Sequence, residues 1–114
     1  MKWRYPVIVV PSLRANGMAL FPFILVKLEK SRFDKVMIRH EIIHLRQQLE
    51  LLVIPFYLFY LLNYLYNRTM IYSDHHEAYI NIIFEREAYA NDAFPDYLKR
   101  RKLFSWRKYL KNQH

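Results

Sequence analysis

The feature that most constrains this chain is residues 51–66, LLVIPFYLFYLLNYLY, sixteen residues in which Asn63 is the one clearly polar position. A helix that crosses a bilayer needs about 20 such residues, and Pro55, inside the stretch, predicts a kink or break. The segment must therefore be buried in a core, inserted without crossing, or laid along a surface. Its flanks add a length argument. Residues 44–66 as one straight helix would measure about 33 Å, whereas only eleven residues separate Asp74 from Glu85. The two arms of a simple hairpin would not match, so a break is expected near Pro55.

Upstream, the one glycine of the chain, Gly17, follows Asn16. Asn-Gly between apolar runs is a hairpin signal, and it predicts strands over residues 7–10 and 18–28, with Pro11 and Pro22 at edge positions. Ser31 and Asp34 resemble a capping box, so a helix is expected from near Arg32. Ile38, Ile42, Leu45, Leu49 and Leu52 then recur at steps of four and three, one core-facing stripe. Downstream, residues 67–73 read as a loop. Asp74 with Glu77 offers a second helix start, the helix should run to about Asp92, and Pro95 closes it. A short basic helix is expected after it. With 114 residues there is room for one domain, 1–114. The expected fold class is α+β, a small N-terminal sheet packed on two main helices.

The first helix carries His40-Glu41-Ile42-Ile43-His44, away from its apolar stripe. Histidines four apart stack on one helix face, close enough to share one cation. Glu41, one residue on, points beside that cation and can accept a proton from a water the metal acidifies. The alternative is a pair of surface histidines on an ordinary amphipathic helix. There is no cysteine, so any zinc site must use His and carboxylate. The third ligand is open on physical grounds. Glu50 is a poor candidate, because the helix continues through Gln47 and carries it about 9 Å along the axis from His44. Glu85 and Glu87 both lie on the second helix, about 200° apart. Glu85 shares its face with Ala78, Asn81, Ala88 and Asp92, where small residues permit close approach. Glu87 shares its face with Ile80, Ile83 and Phe84, where a carboxylate needs a partner and zinc is one such partner.

The His-Glu-x-x-His helix together with Phe84-Glu85-Arg86-Glu87-Ala88 resembles the gluzincin metallopeptidases. The second segment is similar to the Phe-Glu-x-Glu-Ala pattern of the CAAX prenyl protease and heat-shock membrane protease group, and the short chain resembles the minigluzincins. The resemblance covers roughly residues 5–92. It implies zinc ligands at His40, His44 and Glu85, a general base at Glu41, and a substrate strand along the edge of the N-terminal sheet. Those families often place Asp four residues after the ligand Glu. Here Tyr89 stands there, and Asp92, seven residues on and on the same face, is the residue positioned to support a histidine. His75 and His76 read as helix N-terminal decoration. Tyr72, Tyr79 and Tyr89 read first as packing residues and only secondarily as donors to a reaction intermediate. Gln47, Gln48 and Glu50 read as a polar face near the site.

The formal net charge is +8, and residues 95–114 carry seven Lys and Arg against Asp96. Interleaved with Leu103, Phe104, Trp106, Tyr109 and Leu110, that basic tail fits an anionic membrane surface. Nucleic acid is the less favoured acidic partner, because no reading motif accompanies the charge. A solvated helix face is the plain alternative. A single crossing by residues 51–66 would put His40 and Glu85 on opposite sides of the membrane, so it and the metal site exclude one another. No secretory leader is read at the N-terminus, since Pro11 and Arg14 interrupt the first apolar run. A chain without disulfides is compatible with the cytoplasm, peripheral to the inner face of the membrane. The expected function is zinc-dependent hydrolysis of a peptide or protein substrate. The alternative is a catalytically silent zinc scaffold that binds a membrane or a partner.

Overall fold

In the computed structural model, which describes residues 5–110, the chain is α+β. Three short strands, Val7–Val9 (β1), Gly17–Leu20 (β2) and Phe23–Val26 (β3), form one sheet in the order β1-β3-β2. β1 runs parallel to β3 with Val7 opposite Ile24, and β2 runs antiparallel to β3 with Gly17 opposite Val26. The expected hairpin about Asn16-Gly17 is therefore corrected. The two-residue turn lies at Phe21-Pro22, whose peptide is cis, inside the run that had been read as one strand. Pro11 sits in the turn after β1. Gly17 does not use a positive φ. A Cβ there would lie 2.9 Å from Met37 Cε and 3.2 Å from Glu41 Oε2, so a larger residue would have to displace those two side-chain ends. Asn-Gly here serves a close approach, not a turn.

Lys35–Leu51 (α1) is the central helix, packed against β2, Val53–Tyr66 (α2) and Ile83–Asn91 (α4). Its cap is Asp34, whose carboxylate accepts from Met37 N at 3.1 Å. Ser31 is not the cap, as had been expected. It belongs to a 3-10 turn over Glu29–Phe33, so the helix begins three residues later than predicted. The apolar stripe holds through Ile38, Ile42 and Leu45, which pack on Ala19, Ile24 and Val26 of the sheet. It fails beyond the sheet, where Leu49 and Leu52 are exposed.

The chain turns through 111° between α1 and the helical run Val53–Ile71. The break falls at Leu52, φ 60°, three residues before Pro55. Pro55 thus sits in the first turn of α2, where its missing N–H has no intrahelical partner to lose. The loop expected at residues 67–73 is instead largely helical: Asn67–Ile71 continues α2 as a π-helix, closed by Tyr72 N to Asn67 O at 2.7 Å. The second main helix starts as predicted, with Asp74 accepting from Glu77 N, but it breaks at Asn81 and Ile82. His75–Ile80 (α3) and α4 are the two halves. Asn63, the lone polar side chain of the apolar stretch, accepts from Ile83 N and so caps the second half. Phe56, Ile82 and Phe84 form the core beneath α2.

The basic C-terminal helix is likewise divided, into Tyr97–Arg100 (α5) and a 3-10 turn over Ser105–Tyr109. Arg101, between them, reaches back into the protein. It meets Glu50 at 2.6 and 3.1 Å and Glu87 at 2.5 and 3.1 Å, all three side chains nearly or wholly buried. Tyr97 donates to the same Glu87 carboxylate. One guanidinium thus ties α1, α4 and the C-terminal segment together. Replacing Arg101 with Met is expected to lower stability by about 3–5 kcal/mol, since two buried carboxylates lose their shared cation. Urea unfolding followed by circular dichroism reads the change. A loss under about 1 kcal/mol, the value of a solvated pair, would mean the network does not pin the segment.

Candidate metal centre

α1 presents His40, Glu41 and His44, and all three are buried between the sheet and the other helices. α4 crosses α1 on the histidine side, and its Ala88, fully buried, packs on Ile43 and lets the helices approach. That crossing brings Glu85 to the histidines. Its Oε1 lies 3.0 Å from His40 Nε2 and 3.0 Å from His44 Nε2. The three groups can each offer an atom within 4.8 Å of the others. Ligands of one tetrahedral zinc stand roughly 3 to 3.5 Å apart, so this donor set fits that ion. Among the described residues no other group of three His, Cys, Asp or Glu converges in this way.

The far side of each donor is held as well. His40 Nδ1 lies 2.9 Å from Asp92 Oδ2, and an ionised carboxylate can only accept, so Nδ1 carries hydrogen. His44 Nδ1 lies 2.8 Å from Gln47 Oε1. The orientation of that amide is forced, because Gln47 Nε2 donates to Phe84 O at 3.1 Å and to Glu87 Oε1 at 2.9 Å. His44 Nδ1 must therefore also be a donor. Both Nε2 atoms are thereby directed at Glu85 Oε1. Tyr60 of α2 donates to the other oxygen, Glu85 Oε2, at 2.5 Å. Tyr89 packs edge-on to His40, ring centroids 4.5 Å apart.

The electrostatics follow from this enclosure. Burial pulls the His44 imidazole down, but the charge and hydrogen bond of Glu85 outweigh it and push the group up to about 9. Burial would raise Glu85, yet His44 and His40 together hold it well below the usual carboxylate range. A proton on the imidazole and a divalent cation are alternative neutralisers of the same carboxylate, so metal binding releases protons. Glu41 is pushed up by burial, which outweighs the two histidines. Burial and the Glu85 charge raise the Tyr60 hydroxyl, so it stays a proton donor.

Glu41 lies where two openings meet. One, of about 230 Å³, is lined by Met18, Ala19, Phe56, Tyr57 and Tyr60 among others. The other, of about 580 Å³, runs past Asn16, Met37, His40, His76 and Asp92. His75 and His76 stand at the exposed start of α3, outside the donor cluster. His75 Nδ1 is 2.7 Å from Tyr64 Oη. Gln48 acts on the sheet. It accepts from Phe21 N and donates to Ala19 O, the pairing a neighbouring strand would make, and Tyr57 donates to the same carbonyl.

Tyr79, expected first as a packing residue, lines both openings beside Glu41, and Tyr72 lines neither. His40, His44 and Glu85 meet, Glu41 is beside them, and Asp92 supports His40. Glu87, the rival of Glu85, takes Arg101 as its partner and points away from the histidines. The sequence puts Gln47 on a polar face near the site without a role, and gives Tyr60 and Arg101 no place there. Gln47 sits one turn beyond His44, a spacing that could have marked it as a support. Tyr60 and Arg101 carried no local signal. No family model matches this chain, and neither a curated protein nor a solved structure is detectably similar to it.

Glu85→Ala is expected to lower zinc affinity by orders of magnitude. Gln47→Leu, which leaves the ligands in place, should cost about 10- to 100-fold. Glu87→Ala should chiefly lower stability, by about 3–5 kcal/mol. Chelator competition and urea unfolding separate the two effects. Loss of zinc binding with Glu87→Ala but not with Glu85→Ala would transfer the ligand role.

Proposed function

We propose that this chain is a minimal zinc metallopeptidase of the gluzincin type, cutting a peptide or protein substrate. The observation that carries the reading is the convergence of His40 Nε2, His44 Nε2 and Glu85 Oε1 beside Glu41, with both Nδ1 atoms fixed from behind. His40, His44 and Glu85 would hold the ion. Bound zinc would supply Lewis-acid polarisation of a carbonyl and acidification of water. Glu41 is the base: its carboxylate, made more basic by burial, takes the proton from the attacking water and passes it to the leaving amine. Tyr60 keeps Glu85 oriented. Asp92 and Gln47 hold the imidazoles so that little reorganisation accompanies reaction. The apolar opening beside Glu41 suits a large aliphatic or aromatic substrate side chain. Its proposed working place is the cytoplasm, at the inner face of the membrane, with which the absence of cysteine is compatible.

One observation favours a second reading, a catalytically silent zinc scaffold. The outer edge of β2, where a substrate strand would pair, is taken at Ala19 and Phe21 by Gln48 and Tyr57. Only the Gly17 end of that edge lies clear of these two side chains.

Two measurements decide. Elemental analysis of protein purified without added metal should find one zinc per chain, and protein that cannot be loaded at all would end both zinc readings. Glu41→Gln should keep zinc and fold while lowering cleavage of a peptide library by at least about 10²-fold. Equal cleavage by wild type and variant would remove Glu41 from the mechanism. Zinc binding with no cleavage by either protein selects the scaffold.

A further inference from the structure

α2 has two faces of different fate. Phe56, Tyr57, Tyr60, Asn63 and Tyr64 turn inward, onto the core and the cleft. On the opposite arc Ile54, Leu58, Leu61, Leu62 and Leu65 stand 45–81% exposed, over three turns without a charge. An apolar strip of that length on a protein surface marks an interaction site.

The C-terminal segment completes the surface. Trp106 forms one wall of a groove whose other walls are Phe59, Leu62, Asn63, Tyr66, Ile83 and Phe84, its ring 5.5 Å from that of Phe84. That groove places Trp106 beside α2, and the exposed cations Arg107 and Lys108 follow it directly in a 3-10 turn that packs on α4. Arg68 is exposed at the π-helical end of α2. Leu103, 74% exposed, adds a further apolar side chain. No carboxylate occurs in residues 51–73, and none follows Asp96. The outer arc of α2 is therefore apolar, and the chain segments that adjoin it carry cations and no carboxylate.

We propose that this face, the outer side of α2 with the adjoining segment after Trp106, docks on an anionic lipid bilayer, with α2 lying in the plane of the surface. The apolar arc enters the boundary between headgroups and acyl chains, while Arg68, Arg107 and Lys108 meet lipid phosphates. Charge decides between lipid and a second copy of the chain. A two-fold interface would set the same cationic patch against itself, in a molecule of net charge +8. Lipid phosphates attract those cations. No single helix among the described residues is long and apolar enough to cross a bilayer; the pair α1 and Val53–Ile71 passes by length and composition only together, bent by 111°, and the inner face of α2 is committed to α1 and α4, which favours α2 lying along the surface. This inference is independent of the metal and of catalysis.

The test is flotation of the full chain, without added metal, on vesicles of phosphatidylcholine alone or mixed with phosphatidylglycerol. The protein should float with the mixed vesicles at low salt, less with neutral ones, and progressively less as salt rises. L58E/L62E should bind both about a hundredfold more weakly, and circular dichroism checks that the change at Leu62, a wall of the groove beside Trp106, leaves the fold intact. R107E/K108E should lose about tenfold on the anionic vesicles only, and it keeps the test decisive if the leucine pair disturbs folding. Protein that stays at the bottom with both vesicles, or L58E/L62E floating like wild type, would overturn the proposal. So would R107E/K108E binding anionic vesicles like wild type. A dimer in sedimentation velocity, abolished by L58E/L62E and indifferent to vesicles, would assign the face to a second copy instead.

Discussion

α4 buries two carboxylates, Glu85 and Glu87, on roughly opposite sides of one short helix. An isolated buried carboxylate is too costly to keep, so each must find positive charge within reach. Glu85 finds two imidazoles of α1, and Glu87 finds Arg101. This double requirement sets much of the architecture. It fixes α4 against α1 on one side and draws the C-terminal segment in on the other. The two sites also communicate, because Gln47 donates to Glu87 and accepts from His44. The ion pair that anchors the C-terminal segment thus helps determine which nitrogen of His44 faces the candidate metal position.

α1 is polar on its buried sides for the same reason. A helix that only covered a sheet would need a single apolar stripe. α1 is covered by the sheet, α2 and α4, and each neighbour contacts a different set of its side chains. Ile38, Ile42 and Leu45 meet the sheet, His40 and His44 meet α4, and Gln48 meets the edge of β2. α1 buries five polar side chains; His40, His44, Gln47 and Gln48 each have a partner of matching geometry, and Glu41 faces the two openings. The sheet adds one constraint of its own, at Gly17, where a side chain would have to displace the ends of Met37 and Glu41.

α2 is the element in which the demands of the fold and of the exterior separate most clearly. Its inner arc supplies Phe56 to the core, Tyr57 to the edge of β2, Tyr60 to Glu85, and Asn63 to the start of α4. Apart from Leu62, which walls the groove beside Trp106, its outer arc faces solvent. Hydrophobic character all round a helix is normal when both sides are covered. Here one side is open to solvent, and that is the physical basis for assigning it an external partner.

The chemistry-bearing spacing was legible in the chain because it is local. Two histidines four apart on a capped helix must share a face, and Asp92 on the face of Glu85 must follow it towards any histidine that Glu85 meets. The break near Pro55 and the start of a helix at Asp74 were legible on the same terms, from backbone chemistry at single positions. The strand pairing was not. Asn-Gly has two uses, a turn or a close approach, and only packing against Met37 and Glu41 selects the second. The roles of Tyr60, Gln47 and Arg101 were also tertiary decisions. A tyrosine among ten, a glutamine within a helix and an arginine in a basic tail carry no mark of their partners. What the sequence by itself determined is which groups could bind a cation together. The crossing of α1 and α4, set by burial of two carboxylates that each required a counter-charge, decided that Glu85 joins the histidines and Glu87 does not.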